Sequence, residues 1–143
     1  MKEKEFKQVI VVNKGLEMPV GKLASQVSHA SMAFLTRQIR RVAAEETDYY
    51  LATLKIDKDM YEGWIEGAFT KVVLSVNSEE ELYKTIERAN KRDLVEGIDY
   101  FKIIDKGLTV FNGVPTFTCI GFAPMREDII NKVVGSLPLY REN

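Results

Sequence analysis

The sequence predicts an α/β fold, on three observations. Val9–Val12 is a run of β-branched residues with no polar alternation, as expected of a strand covered on both faces. Segments with apolar residues at helical spacing separate it from three further strand-like stretches. Strands joined through helices need crossover connections, so part of the sheet is parallel and helices cover it in two or three layers.

The elements follow in order. The first strand closes at Asn13, and a turn with Gly15 and Pro19 leads into a long helix from about Val20 into the 40s, in which Leu23, Val27, Ala30 and Phe34 recur at spacings of four, three and four. The stretch 45–57 mixes charges with Tyr49, Tyr50, Leu51 and Leu54 without a period and is left unassigned. A short helix near Lys58–Glu66 carries Trp64 and ends at Gly67. Thr70–Val76 is the second strand. Ser78 and Glu81 then form a capping box that opens a helix to about Arg92. Tyr100–Ile104, ending at Asp105, and Thr116–Phe122, after the turn Asn112–Pro115, are the third and fourth strands. Pro124 starts the last helix, with Met125, Ile129, Ile130, Val133 and Val134 on its apolar face and Gly135 as its stop.

The 143 residues suffice for one core, so a single domain over 1–143 is expected. Twenty basic residues against 21 acidic leave a net charge of −1, which supplies no global attraction to nucleic acid; RNA binding would need a local patch. A lone cysteine, Cys119, makes no internal disulfide, and the charged N-terminus has no apolar core behind it, so a cytoplasmic protein is expected. Val9–Val12 falls far short of the roughly 20 apolar residues of a membrane span, so no membrane association is expected.

Ligands of open α/β sheets collect beyond the carboxyl ends of parallel strands. Asn13 and Asp105 fall at such ends, and Lys22 sits in the first turn of the long helix. Lys22, Gln26 and His29, spaced four and three apart, project within about 60° of one another as one polar stripe. The same stripe would also suit a solvated helix face, His29 a structural role, Asp105 the cap of a turn, and Thr109, Thr116 and Thr118 ordinary strand positions. Gly15–Lys22 is no phosphate loop, having one residue too many between its glycines and Leu23 in place of the Ser or Thr after Lys22. No Gly-x-Ser-x-Gly elbow occurs, and one histidine with one cysteine does not make up the usual zinc ligand set. Neither a metal nor a cofactor is expected.

Several motifs in order resemble the type-II, archaeal and eukaryotic, peptidyl-tRNA hydrolases. They are Lys7–Val12, Gly21-Lys-Leu-Ala-Ser-Gln-Val-Ser-His-Ala30, Lys71–Leu82, Ile104-Asp-Lys-Gly-Leu-Thr109, Thr116–Gly121 and Gly135–Leu139. Only about residues 38–62 match nothing. The resemblance implies a four-stranded mixed β-sheet flanked by helices, a homodimer, peptidyl-tRNA as substrate, and a site made of Lys22, Gln26, His29, Asp105, Thr109 and Thr118. The family commonly has Arg and Asp where this chain has Asn13 and Gly15, a second Lys near Pro19–Val20, and a small residue at Lys106.

The expected reaction is hydrolysis of the ester between peptide and tRNA, which frees the tRNA for reuse. Lys22 would stabilise the oxyanion and Asp105 or His29 would orient or deprotonate the water, with Thr109 helping at the centre. Gln26, Thr118 and Asn13 are the expected substrate-binding groups. Lys84, Arg88 and Lys91 on one helix, and Arg37, Arg40 and Arg41 on another, are candidate phosphate contacts or solvated faces. A non-catalytic RNA- or protein-binding relative, or a hydrolase of another ester or amide, also fits these residues.

Overall fold

A computed structural model describes residues 5–42 and 48–142. The chain runs β1 (Phe6–Asn13), a 3-10 turn (Lys14–Leu16), α1 (Val20–Thr36), β2 (Arg40–Val42), β3 (Leu51–Thr53) and α2 (Lys58–Met60), which continues as a π-helical turn (Tyr61–Ile65). It goes on through β4 (Lys71–Val76), α3 (Glu79–Lys91), β5 (Tyr100–Asp105), β6 (Thr116–Phe122), β7 (Met125–Arg126) and α4 (Glu127–Val134).

Four strands make the main sheet in the order β4-β1-β6-β5, and the two-residue β7 pairs the start of β1. β4 lies parallel to β1, while β6 is antiparallel to both β1 and β5. The carboxyl ends of β4, β1 and β5 therefore share one edge of a mixed sheet, with β5 the outermost strand on one side.

Both faces of β1 are buried, as its unbroken apolar run requires: Val9, Ile10, Val11 and Val12 all have 0% exposure. Ile10 and Val12 join Ala30, Ala33 and Phe34 of α1, with Trp64, on one face. Val9 and Val11 join Leu82 of α3 and Ile130 and Val133 of α4 on the other, giving three layers. Gly121 lets α1 approach β6 closely, because a Cβ there would fall inside the van der Waals shell of the Ala30 carbonyl. Ser78 caps α3 by accepting from the Glu81 amide at 3.2 Å, while the Glu81 carboxylate takes the Asn77 amide, one residue outside the predicted reciprocal bond.

Three boundaries differ from the sequence expectation. α1 stops at Thr36 rather than in the 40s, because the positions that would next face the sheet are Arg37 and Gln38 and offer nothing to bury. Arg40 and Arg41 consequently belong to β2, which pairs with β3 as a hairpin, and the three arginines do not share a helix. Part of the unassigned stretch 45–57 thus forms β3; residues 45–47 lie outside the described residues. The last helix begins at Glu127 rather than Pro124, because Met125 and Arg126 give their backbone to pairing with Lys7 and Phe6.

Candidate active site

Asp105 ends β5 on the face that also carries Phe101 and Ile103, turned toward α1. Its two oxygens do different work. Oδ2 accepts the Gly107 amide at 2.8 Å, closing a turn in which Gly107 has a φ of +79° that glycine tolerates best. Oδ1 accepts from Lys22 Nζ at 2.6 Å and from Gln26 Nε2 at 3.2 Å. The Lys22 and Asp105 side chains are 13% and 12% exposed, so the pair is largely withdrawn from water yet open on one side.

These donors hold the Asp105 carboxyl below its ordinary range: the Lys22 hydrogen bond contributes most, burial opposes it, and the Gly107 amide and the Lys22 and His29 charges add to it. Lys22 also donates to Thr109 Oγ1 at 3.1 Å. An ammonium has three N–H groups, so these two bonds leave one for a ligand. The Phe111 ring flanks the ammonium, its centroid 5.9 Å away.

Gln26 is buried and its orientation is dictated by its neighbours. A carboxylate only accepts, so the amide nitrogen faces Asp105, and Oε1 is left to accept from the Thr118 hydroxyl at 2.6 Å. Thr118 gets there by a β-bulge. β6 pairs Ile103 with Cys119 and Ile104 with Phe117, so Thr118 is an extra residue in its strand. Strict alternation would turn it with Ile120 and Phe122 toward α3 and α4; the bulge turns it toward α1. The close approach over Gly121 holds the helix within reach.

The site residues expected from the sequence thus divide. Lys22, Gln26, Asp105, Thr109 and Thr118 form one hydrogen-bonded cluster. His29 is exposed and lines the same cleft, an opening of about 480 Å³ between α1 and the β5 end. Asn13 does not line that cleft: it is buried, and its Oδ1 accepts the Gly15 amide at 3.0 Å, capping the turn after β1. The Gly107 amide is a member of the cluster that the sequence did not single out; its one signal was a glycine two residues after a strand-end aspartate.

Of the other basic groups, Arg88 donates to the Val133 carbonyl at 3.0 Å and ties α3 to α4. Lys84 and Lys91 make exposed pairs with Glu80 and Glu87, as a solvated helix face would. Among the described residues no cluster of three or more His, Cys, Asp or Glu side chains could hold a metal ion, and no helix is long and apolar enough to cross a membrane.

Comparison with known proteins identifies relatives over nearly the whole chain. The family model described as peptidyl-tRNA hydrolase PTH2 matches residues 6–140. A peptidyl-tRNA hydrolase of Methanopyrus kandleri is 38% identical over 137 residues, covering 95% of this chain and 99% of the relative. One from Thermoplasma acidophilum is 30% identical over 133 residues, covering 93% and 97%. A solved protein of unknown function from Agrobacterium tumefaciens strain C58 superimposes with a TM-score of 0.53 at 12% identity, covering 97% of this chain and all of that one, a likeness of fold alone.

Proposed function

The chain belongs to the peptidyl-tRNA hydrolase PTH2 family, and from that premise we propose that the cleft between α1 and β5 is where it hydrolyses the ester joining a peptide to tRNA. The observation that carries the assignment is the 2.6 Å contact between Lys22 Nζ and Asp105 Oδ1, two groups 83 residues apart brought together at the carboxyl edge of the sheet.

Water adds to the ester carbonyl, and the negative charge that develops on its oxygen is met by the remaining N–H of Lys22. Asp105 keeps Lys22 charged and aimed. Its depressed pKa makes it a poor proton acceptor, so it orients the water and leaves the proton to His29 in the same cleft. His29 returns that proton to the ribose oxygen as the acyl C–O bond breaks, giving a free ribose hydroxyl and a peptide carboxylic acid that loses its remaining proton to solvent. Thr109 holds Lys22 from the other side, and Thr118 holds Gln26 against Asp105.

The remaining expectations belong to the same proposal. Lys22 supplies the electrophilic cation, so the reaction runs without a metal, and a chelator leaves turnover unchanged. The single domain works in the cytoplasm, where its substrate is made. Val95 and Ile98, both exposed before β5, give a second copy apolar surface to cover in a homodimer; a monomeric mass by light scattering at micromolar concentration would count against it. Incubation with an N-blocked aminoacyl-tRNA tests the activity itself: release of the blocked amino acid is expected, and binding without release would make the chain a non-catalytic relative.

A further inference from the structure

The two outer edges of the main sheet are treated differently. The edge of β4 is closed by the chain's own tail: the Ser75 amide donates to the Pro138 carbonyl at 3.0 Å, and the Tyr140 amide to the Val73 carbonyl at 2.9 Å. β5, on the other side, pairs beyond its first residue with β6 alone. The Ala123 amide donates to the Asp99 carbonyl at 2.8 Å, which makes Tyr100 and Phe122 a non-hydrogen-bonded pair. The alternation that follows aims the backbone groups of Phe101 and Ile103 at β6 and those of Lys102 and Ile104 away from the sheet. The Thr118 hydroxyl of β6, reaching the Ile103 carbonyl at 3.3 Å, fits that assignment.

Among the described residues, nothing bonds the outward amides and carbonyls of Lys102 and Ile104. Exposed edges are commonly blunted by charge. Here the Lys102 ammonium is drawn to Glu96 at 3.5 Å, and Ile104 is apolar and 56% exposed. The open stretch leads to the reactive centre: Ile103 and Ile104 line the same cleft as Lys22 and His29, and Asp105 closes the strand. Its far end is shut, because the Tyr100 amide donates to the Val95 carbonyl at 3.4 Å and the Tyr100 carbonyl accepts from the Gly97 amide at 2.8 Å.

We propose that the peptide part of the substrate adds to the outer edge of β5 as a short parallel strand, held through its main chain. The proposal rests on the assignment of ester cleavage to Lys22. The reacting carbonyl is at the carboxyl end of the peptide, and Lys22 meets β5 at the carboxyl end of the strand, so the two chains point the same way. In a parallel pair one residue spans two alternate positions of its neighbour. Its amide donates to the Lys102 carbonyl and its carbonyl accepts the Ile104 amide, while the residue two places nearer the ester donates to the Ile104 carbonyl. Peptides carried on tRNA share no side chains; what they share is the main chain, which is what a bare strand edge recognises. The ladder spans about four peptide residues before Tyr100 ends it.

Steady-state kinetics on N-acetylated oligoalanyl-tRNAs of one to six residues test it. KM is expected to fall about tenfold up to roughly four residues and then to level off. Backbone esters placed one at a time in the tetrapeptide, each deleting one amide N–H, should raise KM about fivefold at alternate residues and leave it nearly unchanged at those between. Ile104→Pro removes one outward amide at an edge position, where proline is tolerated, and should flatten the length dependence; Ile104→Ala, which keeps the amide, should preserve it. The ester series uses the parent enzyme and so decides the matter even if Ile104→Pro does not fold. A KM independent of length, or an ester series without alternation, would overturn the proposal while leaving the activity standing. So would a length dependence that appears with one side chain and vanishes with another. If the parent releases no peptide from any of these substrates, the assignment of the activity has failed and the proposal falls with it.

Discussion

Two strand ends at the same edge of the sheet are built alike and do different things. β1 ends at Asn13 and β5 at Asp105, and each side chain accepts the backbone amide of a glycine two residues on, at 3.0 and 2.8 Å. Asn13 stops there, a buried neutral cap. Asp105 spends one oxygen on the turn and keeps the other for Lys22 and Gln26. Capping a turn and serving a reactive centre are therefore not competing roles for a carboxylate, because its two oxygens divide them. What separates the positions is charge, together with a helix that presents a cation to one strand end only.

Removing that charge should have the largest effect. Asp105→Asn keeps a turn-capping oxygen yet releases Lys22, and Lys22→Ala removes the oxyanion partner; each should lower turnover by about 100- to 1000-fold while the fold survives, as read by kcat on peptidyl-tRNA and by circular dichroism. His29→Gln comes next, with a loss of about 100-fold if the imidazole takes the water's proton. Turnover in His29→Gln close to the parent's would return the proton to Asp105. Thr118→Val is milder. It leaves the buried Gln26 carbonyl oxygen without a donor, costing about 1–3 kcal/mol of stability by denaturant melts, with turnover down by roughly tenfold as Gln26 loosens from Asp105.

Asn13 marks the small end of the scale. Asn13→Ala should cost about 1 kcal/mol through the lost cap and change kcat by less than twofold, whereas a loss rivalling that of Asp105→Asn would give the two strand ends one function after all. The two also differ in acid. The folded-state pKa of Asp105 lies below its ordinary value of 3.8, so its contribution to stability is present above that value and is lost as pH falls through and below it. The acid unfolding curve should change in Asp105→Asn and keep its shape in Asn13→Ala.

Much of this was legible in the sequence. The unbroken Val9–Val12 run identified a doubly covered strand, the 4,3 spacing on α1 separated an apolar from a polar stripe, and the strand-end rule put Lys22 and Asp105, 83 residues apart, at the same edge of the sheet. The role given to Asn13 was not separable there, because a cap and a ligand use the same side chain at the same place. The orientation of Thr118 was also hidden. Alternation assigns it to the α3 face, and only the extra residue opposite Ile103 reverses it, a property of pairing between strands rather than of either strand. The end of α1 and the start of α4 were misplaced for a similar reason: tertiary pairing and the lack of anything to bury decided them, while local propensity allowed a longer helix at both places.

A double-mutant cycle on kcat/KM for peptidyl-tRNA, built from Lys22→Ala and Asp105→Asn, tests the coupled pair most directly. If Asp105 acts by holding Lys22, each single variant falls by about 100- to 1000-fold and the double variant falls little further than the worse of the two. Losses that multiply, or near-parental turnover in either folded single variant, would contradict the account.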